Sequence, residues 1–215
     1  MRINKYVAAS TGMSRRSADA AIASGRVLVN SRTPSSGHDV LESDVVTLDN
    51  TVITPPQNHT TILLHKPVGY VVSRDGQGSK TIYDLLPGEF HSLKPVGRLD
   101  KDSSGLLLLT DDGNLANELT HPRNHKEKIY EVGLNKPLTP PDRQAIERGV
   151  TLEDGKSALK LNGHGDQWIV TMKEGRNRQI RRTFSALGYT VQDLHRTHFG
   201  PYKLEGLGIA KYTIL

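Results

Sequence analysis

Apolar positions along this chain follow two rhythms, separated by a break. Near the start they recur at helical spacing. Asn4 is placed to cap a short helix carrying Tyr6 and Val7, with Gly12 as its stop. Ser14 is placed to cap a second helix, whose Ala18, Ala21 and Ile22 share one face and whose stop is Gly25. Val27 and Val29 then alternate as in a strand. A Pro/Ser/Gly loop covers 34–37, and residues 45–48 read as another strand. The pattern predicts two short helices against a small sheet.

The break is DNTVITPPQNHT at 49–60, polar and without a period, with two adjacent prolines. It divides the chain into a small unit over 1–50, a linker over 51–60 and a larger unit over 61–215. Beyond it, short apolar runs bounded by turn residues predominate. They lie at 62–64, 70–72, 106–109, 130–134, 168–172 and 190–194. Helices are fewer: a short one over 114–119, one opened by Thr139-Pro140 and closed by Gly149, and one over 178–187 closed by Gly188. Strands interspersed with a few helices predict an α+β fold.

Composition narrows the function. The 215 residues suffice for one large or two small units with real cores. With no Cys, disulfide scaffolds, thiolate zinc sites and cysteine nucleophiles are excluded together. No apolar stretch approaches the roughly 20 residues of a membrane helix, and no signal-peptide core follows the first residues. A soluble, cytoplasmic protein without a membrane partner is expected. The net charge of +5 permits a nucleic-acid partner without requiring one. Up to residue 58 there are six basic against five acidic residues, and beyond it 22 against 18. Placement therefore carries more information than the total.

Two segments concentrate the chemistry. In GRLDKDSSGLLLLTDDG (97–113), the run at 106–109 reads as a fully buried strand. The polar loop before it holds Arg98, Asp100, Lys101, Asp102, Ser103 and Ser104 at a sheet edge, either as a catalytic loop or as a charged turn. Asp100 could be a nucleophile, a general base or a metal ligand, and a cationic neighbour would keep it ionised. In KEGRNRQIRRTF (173–184), five cations accompany Glu174 alone. On a helix, Arg178, Arg181 and Arg182 would share one face, with Ile180, Phe184 and Leu187 on another. A basic face over a core face suits phosphate contact, and the preference for Arg over Lys favours anion pairing.

Weaker signals surround these. Tyr130 lies in EKIYEVGL (127–134), as a half-buried strand tyrosine or a catalytic one. Arg15 and Arg16 open the second helix against its dipole, as surface charge or as a phosphate site. GQGSKT (76–81) lacks the adjacent GK[ST] of a phosphate loop, and no GxGxxG occurs. The histidines make no metal signature, so no metal is expected.

GRLDKDSSGLLLLT, EKIYEV and EGRNRQIRR together resemble, in order, the three motifs of the pseudouridine synthases of the RsuA/RluB/RluE/RluF family, which act on ribosomal RNA. KPVGYVVS (66–73) and TIYDLLP (81–87) are similar to that family's opening segments, and residues 1–30 resemble the S-four type RNA-binding domain. The resemblance implies a catalytic unit built on a mixed, mainly antiparallel sheet. It implies Asp100 as nucleophile, Tyr130 packed against the target base, and Arg181 salt-bridged to Asp100. Arg98 would help displace the nucleotide. Arg176, in the same motif as Arg181, ranks below it as the partner of Asp100; it and Arg178, Arg182, Arg15, Arg16 and Lys5 would contact RNA. No small-molecule cofactor is implied, and a monomer is expected. The segment at 97–113 reads closest to the RluB branch, implying 23S rRNA, with 16S rRNA or tRNA as the nearest enzymatic alternative. A non-catalytic ribosome-assembly factor is the alternative of another kind. One departure is Asn30-Ser31, where Asn-Gly is usual, so that turn is expected to differ. Another is Lys211, where Arg is common.

Overall fold

The apolar run at 106–109 lies at the centre of the fold, in a strand buried on both faces. The computed structural model describes residues 1–215, which divide into two compact units, Met1–His59 and Thr60–Leu215. No helix is long and apolar enough to cross a membrane.

The first unit contains α1 (Ile3–Thr11), α2 (Arg15–Ala23), β1 (Val27–Val29), β2 (Val46–Leu48) and β3 (Thr51–Val52). The three strands form an antiparallel sheet in that order. Ile3, Val7, Ala18, Ile22, Val27 and Val46 make its core. Ser14 caps α2 by accepting from Ser17 N–H, as expected. Asn4 caps nothing: α1 begins two residues earlier than expected, after Arg2, and the Arg2 side chain makes no cap. The segment read as a linker begins inside this sheet, because Thr51 and Val52 pair with β2. Asn30 and Ser31 both take positive φ (49° and 63°) in a two-residue hairpin turn. Ser31 thus adopts the backbone that Gly would have favoured, and the turn is retained.

The second unit is built on β4 (Thr61–Lys66), β5 (Lys94–Pro95), β6 (Ser104–Thr110), β7 (Lys128–Leu134), β8 (Val150–Leu152), β9 (Gly155–Ser157), β10 (Lys160–His164), β11 (Gln167–Met172), β12 (Val191–Phe199), β13 (Tyr202–Lys203) and β14 (Tyr212–Ile214). Nine of these form one sheet, in the order β10-β11-β7-β12-β6-β4-β14, with β13 on β12 and β5 on β6. Only β12–β6 is parallel, so the sheet is mixed and mainly antiparallel. The strands β8 and β9 make a separate hairpin. Leu106 to Leu109 are wholly buried, and successive residues feed opposite faces. Leu107 and Leu109 join the larger core with Tyr130, Val132, Trp168 and Phe184, while Leu106 and Leu108 pack with Leu63, Val96 and Phe199.

Three helices complete the unit: α3 (Gly113–Thr120), α4 (Pro140–Arg148) and α5 (Gln179–Ser185). Thr139 caps α4 with Pro140 at its first position, and Gly149 ends it, as the sequence predicts. Residues 70–72 are not a strand. Val71 makes one isolated bridge to Thr81, and Gly69, at φ 90°, turns the chain aside. The helix expected from 178 starts one residue later, because Arg178 takes a left-handed conformation (φ 45°).

Candidate active site

The loop that carries Asp100 is held from below. Lys66, the last residue of β4, is wholly buried, and its Nζ donates to three carbonyls: Pro67 (3.0 Å), Asp100 (3.0 Å) and Ser103 (2.6 Å). Gly69 N–H donates to Lys101 O (2.7 Å), so the 66–69 turn and the 100–103 loop are locked together. Burial lowers the Lys66 pKa to about 8, against the pull of the Asp100 and Asp102 charges. Gly105, the second residue of β6, takes φ 109°, and a Cβ there would collide with the Arg196 backbone. Only glycine lets β6 approach β12 in parallel at this point.

Arg178, just before α5, and Arg181, within it, reach this loop. Arg178 grips Asp102 through two hydrogen bonds (3.0 and 2.8 Å) and lies 3.4 Å from an Asp100 oxygen. Arg181 donates to Val191 O (2.6 Å) and Asp102 O (2.7 Å). Its Nε is 3.3 Å from the Asp102 carboxylate but is not aimed at it, so that contact is Coulombic. The hydrogen bonds from Arg178, with the nearby Arg181 charge, hold the Asp102 carboxyl below the usual carboxylate range. The expected Arg181–Asp100 pair is therefore replaced. Arg178 reaches Asp100, and Arg181 braces the loop.

Arg176 and Arg182 find a different carboxylate. Both pair with Asp154, in the β8–β9 turn, at 2.8 and 2.6 Å. Arg176 also donates to the carbonyls of Asp154, Gly155 and Lys156. The single basic face predicted for Arg178, Arg181 and Arg182 does not form. The left-handed Arg178 lies outside the helix and breaks the spacing. Buried hydrogen bonds among Ser157, Gln179 and Thr183 fix α5 to β9. Ile180 and Phe184 enter the core, as expected.

A cleft of about 700 Å³ opens over this loop. Asp100, a third exposed, lies on its wall, and Tyr130, 8% exposed, lines it from β7. Arg98 and Lys101 are exposed at the same cleft. The Asp100 carboxylate accepts no hydrogen bond from the protein, so its oxygens are accessible and uncommitted. A carboxylate with a guanidinium at its side, in a cleft also lined by a buried aromatic ring, can attack or orient a flat ring-bearing substrate.

The match to protein families agrees with this arrangement. Residues 60–186, more than half of the chain, match the model for RNA pseudouridylate synthase. The chain belongs to the RNA pseudouridylate synthase family. It is 37% identical to the ribosomal large subunit pseudouridine synthase B of Bacillus subtilis, over 96% of this chain and 88% of that one. It is 35% identical to the ribosomal small subunit pseudouridine synthase A of Pasteurella multocida, over 95% of this chain and 91% of that one. A crystal structure of a pseudouridylate synthase superposes with a TM-score of 0.73 at 32% identity, over 100% of this chain and 96% of that one. The synthase is thus an isomerase of the class that converts uridine in RNA to pseudouridine.

Of the synthase's predicted site residues, Asp100, Tyr130, Arg98, Arg176 and Arg178 line the one cleft, while Arg181 braces its wall from behind. Arg182 lies outside it, committed to Asp154 and to Asn177 O. In the first unit, Arg15 and Arg16 are exposed in the first turn of α2, and Lys5 is half-buried on α1. Sequence reasoning missed Lys66 and Arg196. The first could have been suspected from a lysine directly before Pro-Val-Gly. Arg196, within HRTHFG, carried no such signal.

Proposed function

We propose that the synthase isomerises a uridine of 23S rRNA, with Asp100 as nucleophile and Tyr130 as the surface against which the target uracil packs. The observation that carries this reading is one cleft joining an uncommitted Asp100 carboxylate, the Arg178 guanidinium 3.4 Å from it, and the Tyr130 ring. The target nucleotide leaves its stack to enter, at about a few kcal/mol, least in loops or distorted RNA. Arg98 and Lys101 at the cleft mouth supply phosphate contacts that offset this. Asp100 acts on the ribose while the uracil detaches, turns and rejoins through carbon 5. Arg178, 3.4 Å from that carboxylate, holds a positive charge beside it through the step.

Residues 1–50 act as an S-four type RNA-binding domain. Support comes from the exposed Arg15–Arg16 pair at the start of α2, where phosphate would offset an unfavourable dipole. The synthase acts as a monomer in the cytoplasm and uses no small-molecule cofactor.

The choice of 23S rests on the 97–113 segment and on the relative from B. subtilis. The nearly equal likeness to the P. multocida enzyme makes 16S rRNA the second reading. Pseudouridine mapping in a strain lacking the synthase separates them. One 23S uridine should stay unmodified. Intact 23S sites with a lost 16S or tRNA site would overturn the 23S assignment.

A further inference from the structure

We propose that Arg196 is a further catalytic residue, whose free Nη2 donates to a carbonyl oxygen of the target uracil as that base leaves the ribose. This rests on the reading of the cleft given above. Arg196 is 2% exposed, yet it lines the cleft. Its Nε donates to Leu106 O (2.9 Å), and its guanidinium lies over the Phe199 ring at 4.9 Å. Its Nη2 is buried without any partner, and no carboxylate lies within ion-pair distance. An unpaired buried guanidinium is unfavourable in an empty fold, so its retention points to a partner that arrives with substrate.

Its position selects that partner. Arg196 pairs with Tyr130 across β7–β12, so the two side chains stand on one face, roughly 5 Å apart at Cβ. Phosphates meet the exposed Arg98 and Lys101, whereas a deeply buried donor beside the base-packing tyrosine meets the base. In the isomerisation, the C1′–N1 bond breaks and its electron pair leaves on the uracil. C1′–C5 then forms, the C5 proton is lost to solvent, and N1 takes one up, so atoms and electrons balance. Between those events the negative charge spreads from N1 onto O2 and O4. A preorganised donor aimed at either oxygen stabilises that state more than the ground state.

The test compares single-turnover isomerisation by wild type, Asp100→Asn, Arg196→Met and Arg196→Lys, with RNA affinity and thermal midpoint measured alongside. Arg196→Met should lose about 100-fold or more in rate with affinity nearly unchanged, and Arg196→Lys should fall between. The target uridine is also replaced by 2-thiouridine or 4-thiouridine, whose sulfur is a poor acceptor. One of these should slow wild type and leave Arg196→Met unaffected. A folded Arg196→Met within threefold of the wild-type rate would overturn the proposal, as would equal slowing of both enzymes by both thio substrates. If Arg196→Met fails to fold, Arg196→Lys decides, and wild-type rate with wild-type thio sensitivity overturns it. Wild-type activity abolished by Asp100→Asn but indifferent to Arg196 sinks this inference alone. Inactive wild type, or Asp100→Asn as active as wild type, sinks the site reading as well.

Discussion

Two clusters of arginine and carboxylate flank the start of α5, and they differ in what they leave available. On one side Arg176 and Arg182 close on Asp154, and both oxygens of that carboxylate are taken. On the other, Arg178 and Arg181 close on Asp102, but Asp100 stands two residues away with its carboxylate accepting nothing from the protein. The same residue types thus build a clamp in one place and a poised acid in the other. Asp102 is the key to the difference. By occupying Arg178, it brings a guanidinium beside Asp100 without consuming Asp100. Local charge density does not separate the two clusters; the uncommitted group does.

That contrast can be broken experimentally. The largest effect expected is from Arg178→Ala set against Arg182→Ala. Arg178→Ala should lower kcat by about 100-fold, since it removes the cation beside the carboxylate proposed to react. Arg182→Ala should leave kcat within about threefold, because its contacts serve the hairpin turn. Equal losses in steady-state assays would mean that both clusters belong to the site.

Lys66 sharpens the picture through pH. As an ammonium it serves three carbonyls below the Asp100 loop, and as an amine it has only two N–H donors. Activity should therefore fall by about tenfold over roughly two pH units as pH rises through about 8. The stability contribution has the opposite sign. Unfolded Lys keeps its proton to about 10.5, so the unfolded chain binds more protons between 8 and 10.5, and this group's contribution rises with pH across that window. Lys66→Arg, always charged, should shift the alkaline limb of the rate profile upward. An unshifted limb would assign it to another group.

Smaller effects are expected at the closed clamp and in the first unit. Asp154→Asn should lower the thermal midpoint by a few degrees, read by scanning calorimetry, with kcat unchanged. Replacing Arg15 and Arg16 together by Ala should weaken RNA binding and reduce the salt slope by at most about 2. Affinity and slope equal to wild type would reduce those arginines to surface charge.

The sequence announces some of this and conceals the rest, for physical reasons. Caps and stops are local chemistry, so Ser14, Thr139-Pro140, Gly12 and Gly149 mark helix ends legibly. The unbroken Leu run at 106–109, short and bounded by turn residues, reads as a strand buried on both faces, which it is. Residues 70–72 look like a strand because pattern reports side chains, whereas a strand needs a ladder partner, and Val71 finds one bridge. The polar strands β9 and β10 exist because neighbours pair with them, which composition does not reveal. Within the site, Asp100 and Tyr130 were legible through motif order. The partner of Asp100 was not, since Arg178 leaves the helix in a left-handed turn that spacing does not forecast. Lys66 and Arg196 are buried charges, and what surrounds a buried charge is decided by tertiary packing.

The central claim is that Asp100, left free where Asp102 is not, performs the chemistry. Tritium release from rRNA labelled at uracil C5 tests it most directly, comparing wild type with Asp100→Asn at matched RNA occupancy. Wild type should release tritium and Asp100→Asn should lose at least about 10⁴-fold, with RNA affinity retained. Equal release by the two proteins would contradict it and remove Asp100 from the reaction.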